Sequence, residues 1–276
     1  MRILALAAAA LVVLLILTLA ARYTDKFRDG IAWQTLAKTA RGITATFDPA
    51  MLAGLPEPAR RYFTFSIAPG TRLSPVATFE MEGEMGLGDK SAPNYQPMTA
   101  KQILAPPLGL VWRMKAGAIS GSDGAMPDTS WTRFWLFNLV PVVRASGDPD
   151  HHRSAFGRVV AEAAFWTPAA LLPSETVTWQ GLTANTARAT ITANGFTQFV
   201  EITVDHRGAP TQVLIDRWSN ANPSKTWQLQ PFGGTLSDYD TFDGFTVPTR
   251  VEGGNFFGTD AYFPFFKANV TAMRFL

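Results

Sequence analysis

Six strand-like runs crowd the second half of the chain: Thr186 to Thr192, Thr197 to Val204, Thr211 to Trp218, Lys225 to Gln230, Phe245 to Glu252 and Phe265 to Phe275. Turn chemistry separates them tightly. Asn194-Gly195 marks a hairpin because both residues tolerate positive φ, and Asp205-His206-Arg207-Gly208 supplies a second turn. Parallel neighbours would need crossovers of a dozen or more residues, so successive short connections select an antiparallel meander.

The first half adds strands of the same kind. In VATFEMEGEMG, the residues Ala77, Phe79, Met81, Gly83 and Met85 alternate with Thr78, Glu80, Glu82 and Glu84. That period puts three carboxylates on a solvated face and the apolar set on the other. Lys101 to Leu104 and Leu110 to Lys115 form a further pair across the broad turn Pro106-Pro107-Leu108-Gly109. Gly117 to Pro127 reads as loop. The densest aromatic cluster follows, with Trp131, Phe134, Trp135, Phe137, Leu139 and Val140. Such residues pack a core by default, and beside a membrane they can touch lipid or line a ligand cavity.

Between the two sets lies Asp150 to Gln180, a helix-to-strand transition. Asp150 or Ser154 can cap a helix, and Phe156, Val159, Val160, Ala163 and Ala164 recur at helical spacing through Phe165. Arg158 and Glu162 stand four apart and read as a helix-locking ion pair, the competing reading being an acid/base or anion-binding pair. Thr167-Pro168 stops the helix, since proline lacks the N–H that the next turn needs. Ala169 to Leu172 makes a second apolar turn ended by Pro173, and a strand begins at Thr176.

Arg158, Glu162, Trp166 and the run Pro168 to Pro173 resemble the central signature of an uncharacterised bacterial family of membrane-anchored proteins. In that family an Arg-x-x-x-Glu helix precedes a Trp-x-Pro-x-Ala-Leu-Leu-Pro turn. LPEPARRYF, Leu55 to Phe63, is similar to the family's opening segment, and DYDTFDGFTVPTR, Asp238 to Arg250, to its closing one. Ala118 to Phe134 matches weakly. The resemblance implies an architecture and no catalytic residue.

Ile3 to Ala21 is an unbroken apolar stretch of 19 residues in which only Thr18 is polar, close to the roughly 20 needed to span a bilayer core. It is expected to stay as a single-pass anchor, although Thr18-Leu19-Ala20 also offers small residues to a signal peptidase. Arg22, Lys26 and Arg28 just after the span would favour a cytoplasmic domain, whereas the very short basic N-terminus and the export-like apolar run favour a periplasmic one. The periplasmic side is the expectation. Asp25 to Ala45 reads as a juxtamembrane helix or stalk weakened by Gly30 and Gly42, and Pro58 starts a helix ending by Pro69-Gly70. The expected organisation is an anchor at 1–22, a juxtamembrane helix and linker at 23–54, and one β-rich domain at 55–276.

Composition limits the chemistry. Twenty-four basic against 22 acidic residues give a net charge of +2, too even for a nucleic-acid footprint. With no cysteine, thiol nucleophiles and thiolate metal sites are excluded. His151 and His152 precede the central helix and His206 sits in a turn, so exposed turn residues are expected rather than a metal centre. Ser120-Gly121-Ser122-Asp123-Gly124 lacks the first glycine of a hydrolase elbow. Gly233-Gly234 and Gly253-Gly254 read as turns or bulges, and Asp216, Asp238, Asp240 and Asp243 as surface turn residues.

The expected fold is therefore mainly β with covering helices: a strongly curved antiparallel sheet or incomplete barrel whose concave side is covered by the Ser154 to Phe165 helix and the Pro58 helix. A closed barrel is the alternative. This layout looks like that of periplasmic lipoprotein carriers. The expected function is binding of a lipid or other apolar small molecule at the cell envelope, without cofactor or metal, and Trp112, Trp135, Phe137 and Trp166 are the expected ligand-binding residues. If the core is filled instead, the domain is a protein interaction module of unknown partner; a hydrolase lacks a convincing catalytic set.

Overall fold

The computed structural model describes residues 1–276. Three helices, α1 (Arg2–Lys38), α2 (Glu57–Ser66) and α3 (Pro149–Trp166), accompany thirteen strands. Before α3 come β1 (Ala77–Gly86), β2 (Tyr95–Ala105), β3 (Gly109–Ala116), β4 (Ile119–Met126), β5 (Thr129–Leu136) and β6 (Val140–Ser146). After it come β7 (Val177–Gly181), β8 (Thr186–Ala193), β9 (Phe196–Val204), β10 (Pro210–Ser219), β11 (Gln228–Phe242), β12 (Phe245–Asn255) and β13 (Phe263–Phe275).

All thirteen strands belong to one antiparallel sheet, ordered β6-β5-β4-β3-β2-β1-β13-β12-β11-β10-β9-β8-β7. Two meanders, β1–β6 and β7–β13, meet where β1 pairs with β13. The edges β6 and β7 do not pair with each other, so the sheet stays open. Both edges are poor templates for another chain, since β6 carries Pro141 and Arg144 and β7 is five residues long.

The chain returns from β6 to β7 through α3, which lies across the concave face against both meanders. Asp148 caps α3 by accepting from the Asp150 N–H at 2.9 Å, and Pro149 occupies its first position. The helix thus starts five residues before Ser154, because the cap is Asp148 rather than Asp150 or Ser154. Ala163 and Ala164 are fully buried and let the backbone approach the sheet. Nearby, α2 packs on β7–β9 and β12, and its buried Tyr62 hydroxyl donates to the Ala164 carbonyl at 2.8 Å. A single large core joins α2, α3 and the concave face.

The first meander is covered on its convex face as well. There the second half of α1 lies along β2–β4, and Ala32, Leu36 and Ala40 pack with Val76, Ile103, Val111 and Trp131 in a separate small core. Gly30 does not interrupt α1. A helical glycine costs about 1 kcal/mol, which the burial of Leu36 and its neighbours offsets.

Several expectations shift. Gly117 to Pro127 is not a loop: Ile119–Met126 is the strand β4, its serines and glycines fitting beneath the tryptophans of β5. Lys225 to Gln230 marks only the start of β11, which runs on through Gly233-Gly234 to Phe242. The glycine pairs lie inside strands rather than in turns, Gly233 opposite Gly254 and Gly234 opposite Gly253, and the expected bulge is present at Gly253-Gly254, where the register of β12 against β13 shifts. His151 and His152 belong to the first turn of α3 and are half-buried rather than exposed.

Candidate functional site

A row of side chains crosses the concave face at one level, because strand register places Phe79, Gln102, Trp112, Asp123 and Thr132 opposite one another on β1 to β5. One face of α3 meets that row residue by residue. His151 hydrogen-bonds Thr132 and Ser130, Arg158 meets Asp123 and Trp112, Glu162 accepts from Gln102, and Trp166 packs on Phe79. Helical spacing on one element and cross-strand register on the other produce the match.

The centre of this seam is charged. Arg158 Nε lies 2.6 Å from Glu162, its Nη1 lies 2.9 Å from Asp123, and its guanidinium stands 4.9 Å from the Trp112 ring centre. Burial works against the Arg158 charge, yet Glu162 and Asp123 raise its pKa above the ordinary value. Arg217 on β10 donates through Nε to Ser154 and has no carboxylate within salt-bridge distance. Burial, with Arg158 adding repulsion, lowers its pKa to about 10, so it remains charged at neutral pH. The ion pair expected within α3 is present, but it also ties the helix to the sheet, which helical spacing alone does not reveal.

Beside the seam lies an apolar cavity of about 330 Å³. Seventeen of its 24 lining residues are hydrophobic, among them Met85, Met114, Phe134, Val213, Leu236 and Phe266. Arg158, Glu162, Asp123 and Arg217 form its polar side. The facing glycines of the β11–β12 pair, Gly233, Gly234 and Gly253, form part of its wall. At Gly253 an added Cβ would meet nothing nearer than the Gly233 carbonyl at 3.6 Å, whereas at Gly234 it would collide with the Glu252 carbonyl.

Two of the four expected ligand-binding residues line this space. Trp112 is buried with its Nε1 unpaired, and Trp166 is anchored by Nε1 to the Pro248 carbonyl at 3.3 Å. Trp135 does not line it. Strand alternation turns Phe134 inward and Trp135 outward, under α1, where its Nε1 donates to Asp25 at 3.0 Å. Phe137 occupies the turn between β5 and β6 with φ 51° and is 69% exposed. Phe134 belongs to the aromatic cluster that the sequence marks as able to line a cavity, whereas Arg217 and the glycine-lined wall carry no such signal; only the register of the strands brings the three together.

On the convex side the same strands hold α1 by charge. Asp25, 2% exposed, receives both Arg144 Nη atoms at 2.7 and 3.0 Å together with the Trp135 indole. Burial alone would raise its pKa, but the hydrogen bonds from Arg144 and Trp135 carry it below the ordinary value. Asp29 lies 3.7 Å from Arg133, and there burial prevails and raises the pKa. No group of three or more histidine, cysteine or acidic side chains is placed to hold a metal ion.

A family model described as a family of unknown function (DUF6544) matches residues 45–268. No curated protein matches the sequence. Among solved structures, a LolA superfamily protein of Nitrosomonas europaea is similar, with a TM-score of 0.42 and 9% identity over 78% of this chain and 90% of its own. A putative outer membrane lipoprotein-sorting protein domain from Vibrio parahaemolyticus gives a TM-score of 0.34 and 13% identity over 72% and 85%.

Proposed function

The chain belongs to the DUF6544 family of unknown function, and from that premise we propose that it is a membrane-tethered binding protein of the cell envelope that takes a lipid or other apolar ligand between α3 and the sheet. The cavity carries this reading: its volume falls in the range of small-molecule sites, and its lining is predominantly hydrophobic with a few charged groups on one side. Burying ten methylenes there would gain roughly 8 kcal/mol before ordering costs. Trp112 and Trp166 supply rigid walls. The apolar half of α1 acts as a retained single-pass anchor, with the β domain on the periplasmic side.

Titration of the full-length protein in nanodiscs with a fluorescent fatty-acid analogue tests the reading. Saturable uptake is expected, and Gly253→Leu, whose Cβ fits without a clash on the cavity wall, should reduce affinity at least about tenfold by filling the site. Trp112→Ala should also weaken uptake, whereas Trp135→Ala should leave affinity unchanged. Absence of uptake by folded, delipidated protein would overturn the reading in favour of an interaction module.

A further inference from the structure

Resting on that tethered reading, we propose that the end of the β domain from which α1 departs lies on the bilayer surface, and that the cavity opens there, so that an apolar ligand passes between membrane and cavity without crossing water. Four observations converge on this end. The first is level. The apolar stretch ends at Ala21, and the next residue, Arg22, donates to Asn138 Oδ1 at 3.2 Å and to Ser120 Oγ at 3.3 Å. The β5–β6 turn and the start of β4 therefore stand where the helix leaves its membrane-compatible segment. Because α1 is unbroken and Asp25 is clamped by Arg144 and Trp135, that level is fixed rather than adjustable.

The second is surface chemistry. After α1 nine large hydrophobic residues are exposed, and five of them, Phe137, Leu139, Val140, Val142 and Val143, fall in this turn and the edge strand that follows. Apolar surface so concentrated marks an interaction face. The third is continuity with the site. Val142 and Val143, together with the exposed Leu87 from the end of β1, also line the cavity, so the patch and the mouth are one surface. The fourth is charge. Arg22, Lys26, Lys101, Arg113 and Lys115 line a groove together with Asp29, Glu80 and Glu82, and Lys115 pairs in register with Ser120 next to the turn. Arg22 and Lys26, within five residues of the end of the apolar segment, stand at the level of lipid phosphates. A bilayer satisfies all four, because it alone is already placed against Arg22 by the anchor.

The chain has no cysteine, so single probes are readily introduced. Phe137→Cys, Val140→Cys and, at the opposite turn of the β4–β5 hairpin, Asp128→Cys would each carry a polarity-sensitive dye in full-length protein in liposomes holding shallow nitroxide lipids. An eight-residue strand separates the two ends by about 25 Å, so quenching is expected at 137 and 140 and not at 128. Equal quenching at all three overturns the proposal, as does a signal at 137 and 140 that follows protein density rather than nitroxide lipid, which would assign the patch to a second copy. Uptake of a fatty-acid analogue is read in the same samples. Uptake without quenching sinks the docked surface and leaves the binding reading; quenching without uptake supports the docked surface and sinks the binding reading. Phe137→Asp with Val140→Asp should slow loading from labelled vesicles about tenfold while leaving uptake from a water-soluble carrier unchanged. Unchanged loading from vesicles overturns the portal.

Discussion

The two faces of the first meander use the same strands for opposite purposes. Inward, Trp112, Met114 and Phe134 border open apolar space; outward, one residue away along the chain, Val111, Arg113, Arg133 and Trp135 are closed under α1. The inner face holds its charges in a seam beside an apolar cavity, and the outer face uses its charges as a latch on α1 beside a polar groove. A period of two thus separates residues that line the cavity from residues that attach α1, and a shift of one residue exchanges the roles.

Breaking the outer latch should have the largest effect. Asp25→Ala leaves Arg144 and the Trp135 indole without their acceptor and Arg133 with Asp29 as its one remaining carboxylate, and removal of one partner of a buried ion pair costs about 3–5 kcal/mol. Because Arg144 is partly exposed, the lower end is expected. Thermal unfolding in nanodiscs should show the loss, while the affinity for an acyl analogue supplied in solution stays near wild type. An affinity loss as large as the stability loss would show that the two faces are not independent.

Most of the architecture was legible because it rests on local chemistry. Asn194-Gly195 forms its hairpin, Pro168 follows the end of α3, and the glutamates of β1 alternate to the exposed face. The site was legible only in part. Trp112, in a strand-like run, and Trp135, in the aromatic cluster, are both large aromatic residues, and what separates them is register relative to α1 and α3, which local sequence does not encode. The strand β4 escaped notice because its Ser-Gly-Ser-Asp-Gly composition has little intrinsic strand preference and is held by neighbours on both sides. Arg158 and Glu162 announced their pairing through spacing, but Asp123 and Gln102 join them through tertiary contact alone.

An intermediate effect is expected inside the seam. Glu162→Gln keeps the side-chain shape but removes one of the two carboxylates around Arg158, leaving Asp123 as its single ionic partner. A hydrogen bond to a charged group is worth about 1.5–3 kcal/mol, so the loss should be smaller than for Asp25→Ala. Here, unlike on the outer face, ligand affinity should change as well, since Glu162 and Arg158 border the cavity. Unchanged affinity with reduced stability would confine the seam to a structural role and narrow the site to Trp112, Trp166 and the glycine wall.

The smallest effect separates the faces by pH. His151, at the polar end of the seam, bonds Ser130 and Thr132 and stands near Asp123, Arg217, Asp148 and His152. Burial, the leading cause, lowers its pKa below the ordinary 6.5 despite the opposing carboxylates. The unfolded chain then binds the proton more readily than the folded one, so the contribution of His151 is fully present above about pH 6.5 and is lost as pH falls towards its lowered folded value. The slope cannot exceed one proton, about 1.4 kcal/mol per pH unit, and should be a fraction of it for a half-buried ring. Asp29 on the outer face has the opposite sign, because its raised pKa means that the folded state holds the proton longer and stability falls as pH rises past the ordinary carboxylate value. Denaturant unfolding between pH 5 and 7.5 of the wild type and of His151→Asn isolates the inner contribution by difference. A shallower dependence in the variant is expected, and identical curves would show that His151 titrates alike in the folded and unfolded chains.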